Sequence, residues 1–335
     1  MRSPKSYTKE DVVEINCHGG IQAVKKVFEL IIKCGARVAQ PGEFTKRAFL
    51  SGRIDLTQAE AVLDVIRAKT EGSLKAAVGQ LEGRLSKDVS GMLDALVGIA
   101  SHIEASIDFP DEELDIIKEE ALEKKIRGIL DKMKNLIDSF SEGVVLREGV
   151  LAVICGKPNV GKSSLMNLLL KRDRVIVTPI PGTTRDAVEE MISLNGVPIR
   201  LVDTAGIGEV NDLLYKESAG KSKSYIEKAD IVLLMLDASV EINEEDLDII
   251  RLAEGRKKLV IVNKIDLSAK PDLKKRLALL FKGDTVVEIS VEKKRNIDLL
   301  ERSILDMVWS GKYAQSASAI LTNARHKELL DKAFN

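Results

Sequence analysis

Cysteine is scarce: Cys17, Cys34 and Cys155 are the only three in 335 residues. They are odd in number and lack metal-ligand spacing, which excludes a disulfide framework or a cysteine metal centre and leaves reduced cytosolic thiols. Long apolar runs are also missing. Nothing approaches the roughly 20 residues that cross a bilayer, and Met1 to Tyr7 has no signal-peptide core. The expectation is a cytoplasmic chain with no membrane partner. A net charge of −1 gives no global attraction to nucleic acid, so such a partner would need a local patch. What remains is a soluble composition, 44% hydrophobic and 31% charged, and length for two or three domains with real cores.

The most informative stretch is Val150 to Ile154 and the loop after it. The apolar, partly β-branched run reads as a buried strand. Gly156, four residues, then Gly161-Lys162-Ser163 is the phosphate-binding pattern. Backbone N–H groups of such a loop surround phosphate oxygens, because glycine allows close approach and a helix N-terminus follows. Lys162 would reach the β- and γ-phosphates, and Ser163 would ligate Mg²⁺.

Beyond it strands and helices alternate, which predicts an α/β unit over about residues 147–311, with a mostly parallel sheet covered by helices on both faces. Thr178 to Asp186 is a polar loop marked by Pro and Gly, where a GTPase places its first switch, and Thr184 is the residue expected to close on Mg²⁺ and the γ-phosphate. Ile199 to Val202 is a strand that delivers Asp203-Thr204-Ala205-Gly206. Asp203 would hold the metal through water, and the Gly206 N–H would sense the γ-phosphate. Strands at 231–236 and 259–262 follow, the second leading into Asn263-Lys264-Ile265-Asp266. A carboxylate accepts two hydrogen bonds from the N1–H and N2–H₂ of guanine, and adenine offers no such pair, so Asp266 selects the base. A last strand, 286–290, brings Ser290, Val291 and Glu292 beside that base. The motifs occur in order, each at the carboxyl end of a predicted strand, which defines a site for GTP or GDP.

The flanks are simpler. Residues 1–55 predict a strand at Asp11–Asn16, a helix at Ile21–Lys33 and a short strand at Arg37–Ala39, too few elements for a core of their own. His18 has no metal-binding neighbour in sequence and reads as a turn residue. Over residues 56–146, Leu56–Lys69 predicts one helix and Leu85, Val89, Met92, Leu96, Ile99 and Ile103 the a/d seam of another. Pro110 ends it. The acidic residues 111–113 suit the start of a third helix, running from Leu114 to Phe140. This segment reads as scaffold.

Together these stretches resemble the MnmE (TrmE) family of tRNA modification GTPases. The resemblance is carried by Ser6–Glu14, His18–Gly20, Pro41–Phe49, Asp55–Ala61, Ile107–Glu112, Gly156–Ser164, Gly182–Asp186 and Asn323–His326, and so spans the whole chain. It implies a GTPase domain inserted into an α-helical bundle, residues 56–146 and 312–335, behind a partial α+β N-terminal domain of folate-binding type. It also implies a homodimer through the N-terminal and GTPase domains, an FAD-containing partner, and installation of a carboxymethylaminomethyl or aminomethyl group at C5 of the wobble uridine of certain tRNAs. In that family K⁺ beside the phosphate loop supplies the charge of an arginine finger. The matching positions are the Asn159 side chain with Thr178, Ile180 and Thr183. Nucleotide contacts carry over to Val160, Gly161 and Ser164 as well.

Three departures follow. Relative to the family the start lacks roughly seventy residues, an expectation from the resemblance, so of the positions that contact a tetrahydrofolate derivative only Glu14 and Arg53 are present. The end lacks the rest of the helical domain and its terminal cysteine motif. A gapless match puts Tyr215 where the family has its water-orienting Glu, with Glu217 two residues on: either the loop is shifted and Glu217 serves, or hydrolysis is slow. Ile207 cannot position water. The competing readings are a shortened GTP-binding module that cannot support tRNA modification and a ribosome-assembly GTPase, against which stands the absence of an RNA-binding module after the GTPase segment.

Overall fold

The fold is built around a strand whose side chains are all buried, β1 (Val150–Cys155). The computed structural model describes residues 1–108, 119–174, 189–203, 223–268, 270, 272–309 and 320–335. A strand apolar at every position needs cover on both faces. Val150, Ala152 and Ile154 point into one core and Leu151, Val153 and Cys155 into another. The first is closed by Leu165 and Leu169 of helix Lys162–Asp173 and by Leu300 and Ile304 of helix Ile297–Trp309. The second is closed by Ile226 and by Leu273, Leu277 and Phe281, on and just after helix Leu273–Leu280. Each such fully buried side chain contributes about 1.5–3 kcal/mol.

β3 (Val197–Asp203) and β4 (Ile231–Asp237) flank β1, both parallel to it. β5 (Lys258–Asn263) and β6 (Thr285–Glu288) extend the sheet in parallel. β2 (Glu189–Leu194) pairs antiparallel with β3 at the edge, giving the order β2-β3-β1-β4-β5-β6. The order reverses direction at β1, so a crevice opens at the carboxyl ends of the central strands. The β2–β3 hairpin is absent from the sequence reading above. Its signal is Asn195-Gly196, both with positive φ, the pair that a two-residue hairpin turn demands.

The α/β unit is inserted between helices. α3 (Leu56–Arg67) and α4 (Glu71–Leu81) each begin with a reciprocal capping box, Asp55 with Gln58 and Thr70 with Ser73. α5 (Arg84–Asp108), α6 (Glu119–Asp138) and α7 (Phe140–Glu148) lead to β1. Leu321 joins Leu85, Met92 and Ile99 of α5 and Ile129, Met133 and Leu136 of α6 in a third core. The expected seam is therefore half used: Val89, Leu96 and Ile103 stay exposed, because the facing α6 covers only one residue per heptad of α5. The expected helix through Phe140 ends at Asp138, and α7 starts afresh after Ser139. Leu114, Ile117, Pro110 and the acidic residues 111–113 lie outside the described residues.

The first segment departs furthest from expectation. α1 (Ile21–Lys33) forms but buries no residue. Asp11–Asn16 and Arg37–Ala39 form no strands, because among the described residues no partner strand supplies a ladder. α2 (Glu43–Leu50) buries only Ala48. No helix of the described residues is long and apolar enough to cross a membrane.

The segment returning from the α/β unit is held by polar contacts. Thr322 Oγ1 bonds Gln80 Oε1 at 3.0 Å, while Glu60 takes the Asn323 amide at 3.0 Å, Arg325 at 2.7 Å and His326 Nε2 at 3.0 Å. Burial lowers the pKa of His326, against the opposing Glu60 carboxylate. The unfolded chain then takes up the proton first, so stability is full above the ordinary histidine value and falls as pH drops below it. The urea midpoint is expected to fall between pH about 7 and about 5, and His326→Gln to flatten that slope. Gly143 is a second test. A Cβ there would collide with the Leu321 carbonyl oxygen. Gly143→Ala should cost about 1–3 kcal/mol in urea denaturation.

Candidate functional site

The carboxyl ends of β1, β3, β4 and β5 bring one group of polar residues together. β1 runs into Gly156, with φ +152°, where a Cβ would lie 2.5 Å from the Met235 carbonyl oxygen on β4. Gly161, φ +105°, caps helix Lys162–Asp173, and a Cβ there would lie 2.5 Å from Asn263 Nδ2. Both positions therefore require glycine for conformation and for space. Between them Asn159 takes φ +63°, which asparagine tolerates, and is exposed. Val160 is buried beneath the loop and Ser164 is exposed on the first helical turn.

Lys162 is buried at the base of the loop. Its Nζ donates to the carbonyls of Gly156 and Lys157, each at 2.8 Å. Ser163 Oγ donates to Asp203 Oδ2 at 2.7 Å, joining the helix start to the end of β3. Among the described residues this is the one place where a phosphate-loop hydroxyl meets a strand-end carboxylate, a pair of hard oxygen donors that suits Mg²⁺. Cys155, one residue before the loop, is buried and its thiol is pushed up to about 12, so it is inert.

β5 delivers the second half. The buried Asn263 donates from Nδ2 to the Val160 carbonyl at 2.8 Å and accepts from the Val291 N–H through Oδ1 at 3.1 Å. Lys264, φ +65°, pairs with Asp237 Oδ2 at 2.6 Å. Burial raises the Asp237 pKa, but hydrogen bonds from Lys264 and Ser239 outweigh it and hold the carboxyl below its usual value. A hydrogen bond from the fully buried Ser290 lowers the pKa of Asp266 below its usual value. Glu292 is exposed beside it and Val291 half-buried.

The structure thus gathers Asn159 to Ser164, Asp203, Asn263, Lys264, Asp266 and Ser290 to Glu292 at one edge of the sheet. Thr178, Ile180, Thr183, Thr184, Thr204, Ala205, Gly206, Tyr215 and Glu217 lie outside the described residues. Glu14 and Arg53 are exposed in the N-terminal segment, and no described contact joins either to this edge. Two supporting groups carry no motif of their own in the sequence: Asp237, which holds Lys264, and Asp246, which holds Lys157 at 2.7 Å. The available signal for the second is the capping box Asn243-x-x-Asp246.

Comparison with known proteins agrees across the chain. The family model for the GTP-binding protein TrmE N-terminus matches residues 1–53, and that for the MnmE helical domain matches residues 56–335. A tRNA modification GTPase MnmE of Carboxydothermus hydrogenoformans is 48% identical over 335 residues, covering 100% of this chain and 73% of the relative. That of Alkaliphilus metalliredigens is 48% identical over 334 residues, covering 100% and 72%. That of Clostridioides difficile is 45% identical over 334 residues, again covering 100% and 72%.

Asn263→Ala removes both hydrogen bonds that tie the phosphate loop to the 290–292 loop. It leaves the Val160 carbonyl buried without that donor. A loss of about 1–3 kcal/mol in urea denaturation is expected, with weaker nucleotide binding by isothermal titration.

Proposed function

The chain belongs to the MnmE family of tRNA modification GTPases, and from that premise we propose that it hydrolyses GTP to GDP and phosphate in the service of tRNA wobble-uridine modification. The observation that carries the GTPase reading is the convergence of Lys162, Ser163, Asp203, Asn263, Asp266 and Ser290 at one sheet edge. Lys162, bonded to the Gly156 and Lys157 carbonyls at the base of the loop, reaches the β- and γ-phosphates. The N–H groups from Asn159 to Ser164 cradle phosphate oxygens at the helix start. Ser163 and Asp203, already in contact at 2.7 Å, would hold Mg²⁺ together with Thr184. When bound there, Mg²⁺ would supply positive charge against the phosphate oxygens. Asp266 accepts from the guanine N1–H and N2–H₂, with Asn263, Lys264, Ser290, Val291 and Glu292 shaping the base pocket. Thr204, Ala205 and Gly206 meet the γ-phosphate, and Glu217 orients the attacking water.

The finer assignments rest on the family resemblance. Asn159, with Thr178, Ile180 and Thr183, would hold K⁺, which would supply the charge of an arginine finger. Asn159 suits this because it offers an exposed side-chain oxygen beside the phosphate loop. The domains run 1–55, 56–146, 147–311 and 312–335. The protein works in the cytoplasm as a homodimer with an FAD-containing partner that completes the tRNA reaction. Glu14 and Arg53 face the tetrahydrofolate derivative that donates the one-carbon unit.

Two measurements test this. GDP should bind in preference to ADP, and Asp266→Asn should weaken GDP binding about a hundredfold, since it removes a charged acceptor of two hydrogen bonds. GTP turnover should be about a hundredfold faster in K⁺ than in Na⁺. Equal rates would sink the K⁺ role, and binding without turnover in either salt would make the chain a GTP-binding module.

A further inference from the structure

Lys157 lies inside the phosphate loop, at a position that the loop pattern leaves free, yet it is almost wholly buried. Its ammonium bonds Asp246 Oδ2 at 2.7 Å and Asn243 Oδ1 at 3.0 Å. Those two side chains already form the reciprocal capping box of helix Glu244–Leu252. Asp246 Oδ2 accepts the Asn243 N–H at 3.0 Å, and Asn243 Oδ1 accepts the Asp246 N–H at 3.3 Å. The lysine charge therefore sits on both acceptors of a helix cap and ties the loop to the helix that follows β4. A charge withdrawn from water keeps its place only where partners of good geometry meet it. Here the capping box supplies one carboxylate and one amide oxygen in fixed positions.

The same residue faces the site through its backbone. The Lys157 carbonyl accepts Lys162 Nζ at 2.8 Å, beside the Gly156 carbonyl at the same distance. One residue thus joins the remote helix by its side chain and the phosphate-contacting lysine by its main chain. The neighbouring Gly156 cannot brace the loop by a side chain, and Asn159 is exposed.

Building on the GTP-binding reading above, we propose that Lys157 is a positioning residue. Its ion pair with Asp246 sets the backbone of the phosphate loop and, through it, the placement of Lys162 and of the loop N–H groups around the nucleotide phosphates. The loop geometry that binds GTP is then fixed partly from a helix that touches no phosphate.

The full chain tests this with Lys157→Met, Asp246→Asn and Lys157→Arg, by GDP affinity and release rate, by the KM and kcat of GTP turnover, and by the ³¹P resonance of the bound β-phosphate. Lys157→Met and Asp246→Asn should each weaken GDP binding about ten- to a hundredfold, the loss that follows a charge-assisted hydrogen bond. Most of it should appear as faster release and higher KM, with a displaced β-phosphate resonance. Lys157→Arg, which keeps the charge and reaches both acceptors, should restore affinity and resonance. A folded Lys157→Met or Asp246→Asn with wild-type affinity and an unmoved resonance would overturn the proposal while leaving the GTP-binding reading intact. Should Lys157→Met fail to fold, Asp246→Asn decides alone. A wild-type chain that binds no GDP overturns the GTP-binding reading and the positioning role with it.

Discussion

The Asn263 amide is the contact on which the rest of the site depends. It donates to the phosphate loop through the Val160 carbonyl and accepts from the loop after β6 through the Val291 N–H. Two segments separated by more than a hundred residues thereby become one surface. The amide lies so close to Gly161 that no side chain fits there. The helix start at Lys162, the Ser163–Asp203 contact and the Asp266–Ser290 contact are each local, but their common frame is this one amide. Asn suits the position because it is a donor at one end and an acceptor at the other. An Asp would lose the donor, and an Ala both.

Why the phosphate loop is legible in sequence follows from the same crowding. Gly156 and Gly161 are required by neighbours at 2.5 Å, and Lys162, Ser163, Asp203 and Asp266 stand at motif positions that few side chains satisfy. The fold class is legible for a related reason: strands buried on both faces must be apolar at successive positions, as in Val150 to Cys155. Where the sequence misleads, the pattern reports a capacity to bury rather than burial. The a/d spacing of α5 is real, yet Val89, Leu96 and Ile103 have no facing helix among the described residues. Val13 and Ile15 alternate like a strand and lack a ladder partner. Lys157 is hidden for the opposite reason, since nothing at a position the loop pattern leaves free announces an ion pair with a helix cap some ninety residues away.

The helical part and the α/β part meet at defined points. Thr70 Oγ1, within the α4 capping box, donates to the Gly196 carbonyl at 2.6 Å, and a Cβ on Gly72 would stand 2.5 Å from the same oxygen. That oxygen belongs to the turn of the β2–β3 hairpin. α7 runs into β1 through Gly149, beside the Pro198 carbonyl of β3. Arg147 at the end of α7 spans the helical side, bonding Asp64 of α3 at 3.1 Å and the Thr322 carbonyl of the returning segment at 3.2 Å. The inserted unit is thus held at its entry through Gly149 and again at its hairpin, and Arg147 ties that entry to the returning segment.

β3 gains a particular position from this arrangement. It begins beside Gly196, against the N-terminus of α4, and ends at Asp203, against Ser163. Seven extended residues span about 23 Å, and every residue of β3 except Arg200 is buried. β1 flanks it in parallel on one side and β2 antiparallel on the other, so it cannot shift in register without breaking both ladders. A strand so constrained moves as a rod if it moves at all. The Asp203 carboxylate that meets Ser163 and the helical contact at Gly196 are therefore the two ends of one strand, and α4 is the helix whose cap touches it.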